Sequence, residues 1–290
     1  MSDITSKAYA PSPRPTFDEA TAIKFEDATR HVWGDDGSGE VMDWIYVSSD
    51  KIHQLVFGLA PGKSFRHSDE FRTIFAADEV LYVLSGDLLI ANPQTGEVHR
   101  AGEGEAVFFR RDTWHHAVAH GDKELRVLEL FAPPPSTGTS GSYARAQDNL
   151  LGVTYADDGA LERWPMERTE IRTEQTMSVL RREDQLWRLE GDDDPVLVGI
   201  LASTEHLTVG TVELRPGQRS GIQRHAGDES GYVLEGTVAI RIGADEGRRW
   251  LEVSPGDGFY IPEGVPHRYY NAGSSGARLL FGVAPSYLPE

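Results

Sequence analysis

Cysteine is absent from this chain of 290 residues. Disulfides, thiolate nucleophiles and cysteine-bound zinc or iron–sulfur centres are therefore excluded, and any metal has to be held by histidine, carboxylate or amide groups. Long apolar runs are missing too. No stretch approaches the ~20 apolar residues of a membrane helix, and Met1 to Pro15, with Asp3, Lys7, Arg14 and its prolines, has no apolar centre of the kind a secretory signal carries. The expectation is a soluble, cytoplasmic protein with no membrane partner. Positive charge is scarce as well: 28 Lys and Arg stand against 46 Asp and Glu, a formal net charge of −18. Nucleic-acid binding draws its affinity from Lys and Arg, so the expected partner is a small-molecule substrate or another protein, including a second copy in a homo-oligomer. Three common chemistries leave no trace: no complete phosphate-cradling Gly-x4-Gly-Lys-Ser/Thr loop, no Gly-x-Ser-x-Gly elbow and no dinucleotide-binding glycine fingerprint.

Against these absences stands a layout written twice. Gly217, His225, Glu229 and Gly236, then Gly256, Pro262, Gly264, His267 and Asn271, have a weaker copy upstream: Glu79 and Gly86 lie 150 positions before Glu229 and Gly236, and Gly104 and His115 lie 152 positions before Gly256 and His267. Self-similarity at a fixed period means two copies of one structural unit. The repeated positions include metal-binding residue types, so the repeat bears on chemistry as well as on architecture.

Short β-branched and aromatic runs, split by Gly, Pro, Asn and Asp, fill both halves: Trp44 to Val47, Gln54 to Leu59, Val80 to Leu84, Asp87 to Ile90 and Ala106 to Phe109, then Val196 to Ile200, Leu207 to Leu214, Gly231 to Ile242, Gly258 to Ile261 and Leu279 to Val283. This is an all-β signature, and many short strands without crossover helices specify two jelly-roll barrels in tandem with a few short helices. The tract Ala132 to Ser142, rich in Pro, Gly and Ser, cannot hold a helix or central strand and marks a boundary. The expected organisation is an N-terminal arm over 1–30, weakly helical from Glu19 to Arg30, a first barrel over 31–132, a connecting segment over 133–190 and a second barrel over 191–290.

Gly217, five residues, Gln223-Arg224-His225, three residues, Glu229, six residues and Gly236 resemble the first conserved motif of the cupin superfamily, with Gln223 where that family usually has its first histidine. Gly256, five residues, Pro262-Glu263-Gly264, two residues, His267, three residues and Asn271 resemble the second motif without a departure. The resemblance implies a two-domain bicupin, built of double-stranded β-helix barrels. Strand alternation agrees: Gln223 and His225 share a face, Glu229 joins them from the next strand and His267 from a third. An amide, two imidazoles and a carboxylate suit a divalent transition metal, Fe, Mn, Ni, Co or Zn. The competing reading is that these groups only hydrogen-bond inside a barrel that holds no metal.

In the first half, 17 steps separate Gly62 from Glu79 where 12 separate Gly217 from Glu229, so five residues have been added. The positions four and six before Glu79 become Phe75 and Thr73, neither a usual ligand, and Arg110 and Asp112 stand where Pro and Gly are expected. His67, Glu79 and His115 form a second, weaker candidate metal site if the inserted loop folds over the barrel mouth. His116, next to His115, should face away from it. Arginines gather near the motifs; Arg219, sharing strand parity with Gln223, is the candidate to grip a substrate carboxylate. Tyr269 shares the parity of His267, and it and Tyr232 are candidate proton donors. The resemblance admits dioxygenases, decarboxylases, isomerases, lyases, aminohydrolases and storage proteins. The leading expectation is an Fe(II)-type dioxygenase acting on a small polar or anionic molecule. The alternatives are a non-oxidative Mn, Ni or Zn isomerase, lyase or decarboxylase, and a non-catalytic metabolite-binding bicupin.

Overall fold

The structure is a computed structural model that describes residues 12–133, 141–191, 194–243 and 249–289; most of the tract expected to carry the domain boundary lies outside them. The chain is all-β, with two barrels in tandem and short helices such as Arg168–Glu174. Strand formation follows period-two alternation. In Val238–Ile242, Val238, Ile240 and Ile242 are buried while Ala239 and Arg241 turn outward. The strand before it, Ala226–Glu235, ends at Gly236, which turns with φ +69; a Cβ there would lie 2.7 Å from the Gly276 carbonyl oxygen, so only glycine fits.

Each barrel joins a seven-stranded antiparallel sheet to a smaller one. In the first, the large sheet runs Met177–Leu180, Ala106–Phe109, Asp78–Ser85, Leu125–Ala132, His53–Leu59, Val41–Ser48, Thr29–Trp33. In the second it runs Thr21–Ile23, Gly258–Ile261, Ala226–Glu235, Ala277–Ser286, Thr208–Leu214, Val196–Ser203, Leu186–Glu190. The orders match strand for strand, and both outer edges correct the expected organisation. Glu19 to Arg30 is not a helix: Thr21–Ile23 pairs with Gly258–Ile261 of the second barrel, and after a single 3-10 turn Thr29–Trp33 pairs within the first. The connecting segment does the same in reverse, Met177–Leu180 completing the first barrel and Leu186–Glu190 the second. Each repeat thus opens with one strand given to its neighbour and one kept, so the arm and the connecting segment are themselves copies of each other.

This exchange ties the barrels together, and a shared core seals them. Tyr46, Val56, Val80 and Leu128 of the first barrel bury against Leu201, Val209, Tyr260 and Leu280 of the second. Polar contacts cross the seam where backbone groups need partners: the Tyr46 hydroxyl donates to the Gly256 carbonyl at 2.7 Å and the Gln54 amide to the Gly231 carbonyl at 3.1 Å. Among the described residues, no helix is long and apolar enough to cross a membrane.

Candidate metal centre

Two strands of the second barrel, and the segment leading into the first of them, bring His225, Glu229 and His267 together, and one ligand atom from each lies within 4.8 Å of the others. Glu229 begins to turn into the barrel on Ala226–Glu235, held in register opposite Ile261 and Val283. His267 opens the strand His267–Tyr270 and exchanges backbone hydrogen bonds with Gln223 at 2.8 and 3.0 Å, which seats His225 one step further along the same face. His267 and Glu229 are 1% and 2% exposed, so their charges meet no bulk water.

The outer bonds of the rings define the site. His225 Nδ1 lies 2.6 Å from the Tyr287 carbonyl oxygen and His267 Nδ1 lies 3.1 Å from the Val265 carbonyl oxygen. A carbonyl only accepts, so each Nδ1 carries a proton, and in the neutral ring each Nε2 offers its lone pair. Those Nε2 atoms stand 3.5 and 2.9 Å from Glu229 Oε2. Glu229 Oε2 and His267 Nε2 are nonetheless without a hydrogen bond of proper alignment, and the two buried atoms face one point. Such a donor set, with each imidazole oriented by a backbone carbonyl, fits a divalent transition metal.

Electrostatics agree in direction. Burial pushes the Glu229 carboxyl up, but His267, His225 and the Tyr269 hydroxyl together hold it below the usual carboxylate range. Burial pushes His267 down, and Glu229 beside it more than compensates. The Tyr269 hydroxyl donates to Glu229 Oε1; burial first, then that carboxylate, raises its pKa well above the phenol range, so it stays protonated.

A model of the cupin domain matches residues 56–131 and 210–283. The chain belongs to the cupin family. Solved structures match this cupin along nearly its whole length. A mutant of the oxalate decarboxylase OxdC of Bacillus subtilis is 15% identical with a TM-score of 0.61, over 96% of this chain and 80% of that one. A protein of Pseudomonas aeruginosa named for induction by glyoxylate is 18% identical with a TM-score of 0.64, over 95% of both chains. AerE of Microcystis aeruginosa is 12% identical with a TM-score of 0.57, over 89% of this chain and 97% of that one. At such identities the likeness is one of fold. No curated protein sequence matches.

The remaining candidates of this cupin are distributed less evenly. Gln223 is half-buried, and its amide nitrogen donates to Glu190 Oε2 at 3.1 Å. Arg219 is exposed and bridges to Tyr270 on the outer surface, not beside the triad. Its parity with Gln223 assumed an unbroken strand, yet Gln218 and Ser220 point inward and so does Gln223: the irregular step through Gly221 and Ile222 reverses the alternation. Tyr232 packs edge-on against Tyr46 at the seam between barrels, 5.7 Å between ring centroids. Glu190 and Tyr287 carried no signal in the sequence. The Tyr287 hydroxyl donates to Glu190 at 2.9 Å and its ring stacks on His225 at 4.6 Å, covering the triad from the C-terminal end.

The second candidate set does not assemble. His67 faces His116, Nδ1 to Nε2 at 2.8 Å, and His116 in turn meets the Tyr155 hydroxyl at 2.9 Å. His116 does face away from His115, but into this covered contact on the outside of the barrel. Among the described residues, only His225, Glu229 and His267 converge as a potential metal-binding group, so His67, Glu79 and His115 do not. Backbone bonds give the reason. His115 N donates to Thr73 O at 3.1 Å as His267 N does to Gln223 O, and Asp112 N donates to Phe75 O at 2.8 Å as Gly264 N does to His225 O at 2.9 Å. Thr73 therefore occupies the place of Gln223 and Phe75 the place of His225, despite the five added residues, and the inserted loop takes His67 elsewhere.

Proposed function

We propose that this cupin is a metal-dependent enzyme of the second barrel, with His225, Glu229 and His267 as ligands, acting on a small polar or anionic organic molecule. The observation that carries the reading is the convergence of two imidazole Nε2 atoms on a buried carboxylate oxygen, with both rings held at Nδ1 by backbone carbonyls. When bound there, a divalent ion supplies Lewis-acid polarisation of a substrate oxygen. The chain's own groups do the rest. The Tyr287 and Val265 carbonyls fix the tautomer and tilt of the rings. The Tyr269 hydroxyl keeps its proton and presents it at Glu229 Oε1, a proton donor inside a wall that excludes water. Arg219 takes no part, since it lies outside.

A set of two histidines and one carboxylate with further positions open supports an Fe(II)-type dioxygenase. A protonated Tyr269 beside the triad, and a fold shared with an oxalate decarboxylase, support a non-oxidative decarboxylase or lyase. The test is turnover of small hydroxy acids, oxo acids and diketones by metal-loaded protein with and without oxygen. Oxygen uptake coupled to product supports the dioxygenase, equal anaerobic turnover the non-oxidative enzyme, and no turnover with any of the five metals contradicts both.

A further inference from the structure

The first barrel has Phe75 at the position of the His225 imidazole, and the space beside it is not filled. A cavity of about 80 Å³ opens there, walled by Trp33, Phe57, Phe65, Phe75 and Phe131. That is room for roughly five to eight water-sized groups. Asp43, Thr73, His115 and Glu129 also line it.

The acids have no counterpart in the second barrel. Strand register places Glu129 opposite Leu81 where Phe281 stands opposite Gly231, and places Asp43 opposite Phe57 where Val198 stands opposite Val212. Glu79, opposite Phe131, lies close enough to Glu129 for that carboxyl to raise its cost of ionising. Asp43 and Glu79 are thus buried and Glu129 is half-buried in one barrel, and no Lys or Arg is among the residues lining the cavity. An uncompensated buried acid is costly unless a cation or a proton neutralises it. Burial, followed by mutual repulsion, lifts Asp43 and Glu79 well above the carboxylate range, and burial lifts Glu129 to about 7. A second observation is independent of charge: Thr73 is 1% exposed and its Oγ1, on the cavity wall, has no hydrogen-bond partner.

These features select a ligand class. A bare metal ion is disfavoured, because the acids and His115 do not converge as the triad of the other barrel does. An anion would meet two acids and no Lys or Arg, and burial pushes the two histidines of the lining, His53 and His115, down to about 3 and about 4, so that they offer no positive charge. A cation larger than a metal ion, with an apolar stem, meets carboxylates at its charge and aromatic rings around it. We propose that the first barrel is a binding site for a small organic ammonium, with Asp43 and Glu129 as its counter-charges, Thr73 Oγ1 as an acceptor for one N–H, and Phe57, Phe75 and Trp33 as the box around its stem. The site is separate from the metal centre and does not depend on the reading given for it.

The experiment is calorimetric titration of the full chain with propylammonium, using propanol and propionate as controls of similar size. The expected result is saturable binding of one propylammonium per chain. Binding should weaken about tenfold or more in Glu129→Gln and in Asp43→Asn, the scale of one lost charge contact, and a few-fold in Thr73→Val, which preserves shape and guards against misfolding of the acid variants. His225→Ala, which removes a proposed metal ligand, should bind propylammonium as the wild type does. Tighter binding of propanol or propionate, or an affinity for propylammonium that none of the three cavity variants changes, would overturn the proposal.

Discussion

The two barrels of this cupin share strand order and register, and they differ in what fills the middle. In the second, His225, Glu229 and His267 meet around one point. In the first, Glu79 and His115 hold the corresponding positions, but Phe75 replaces the second imidazole, and Asp43 and Glu129 appear where Val198 and Phe281 stand. The backbone demands persisted through these changes. Gly264 turns with φ +73, and Asp112 at the equivalent position turns with φ 64, a conformation that Asp tolerates better than most residues. A barrel therefore constrains its turns and core parity more tightly than the three or four side chains at its mouth, and one copy of a duplicated site is free to change chemistry while the other keeps it.

The largest expected effect comes from breaking the comparison on the metal side. Removing an outer-shell partner alone costs a metal site about 10–100-fold in affinity, so removing a ligand, as in His225→Ala, should exceed that and leave purified protein without metal. His115→Ala should leave metal content unchanged. Elemental analysis of both variants reads the difference, and full occupancy in His225→Ala would place the ion elsewhere. Next in size is Tyr269→Phe, which keeps the ligands but removes the proton at Glu229 Oε1; metal content should hold while turnover falls by about 10²-fold. Turnover at the wild-type rate would make Tyr269 a packing residue.

Phe75→His sharpens the comparison from the other side. It restores an imidazole beside Glu79 and His115 and should raise metal content from one ion per chain towards two. A stoichiometry that stays at one would show that the acids, and not only the missing ring, prevent metal binding. The smallest effect is on stability. The Glu129 carboxyl, lifted by burial from its ordinary 4.5 to about 7, keeps its proton in the folded barrel over a range where the unfolded chain has released it. Protons are then bound in excess by the folded state, so stability falls as pH rises through this window. Glu129→Gln should flatten that fall, leaving the protein about 1–3 kcal/mol more stable than wild type at pH 8 and little changed at pH 4. Urea unfolding at the two pH values measures it, and an unaltered slope would remove Glu129 as its source.

Much of this was legible in the residues. Alternating β-branched runs specified the strands, and the Gly-, Pro- and His-bearing motifs located His225, Glu229 and His267, because turns and ligands leave local patterns. Thr21–Ile23 left none: three ordinary residues become a strand only because an edge of the other barrel is there to pair with them. Arg219 was misplaced because parity counting cannot see a break at Gly221. Glu129, by contrast, was available, an acid lying on the same strand face as Val127 and Phe131, and Asp43 likewise sits in step with Val41 and Ile45. Glu190 and Tyr287 reach the site through tertiary contacts with no sequence signature.

The account rests on one metal ion held in the second barrel and none in the first. Anomalous diffraction from crystals of the full chain loaded with cobalt or manganese tests it most directly. A single strong peak between His225 Nε2, Glu229 Oε2 and His267 Nε2 is the expected result; a peak among Glu79, His115 and Glu129, or no protein-bound peak at all, would contradict it.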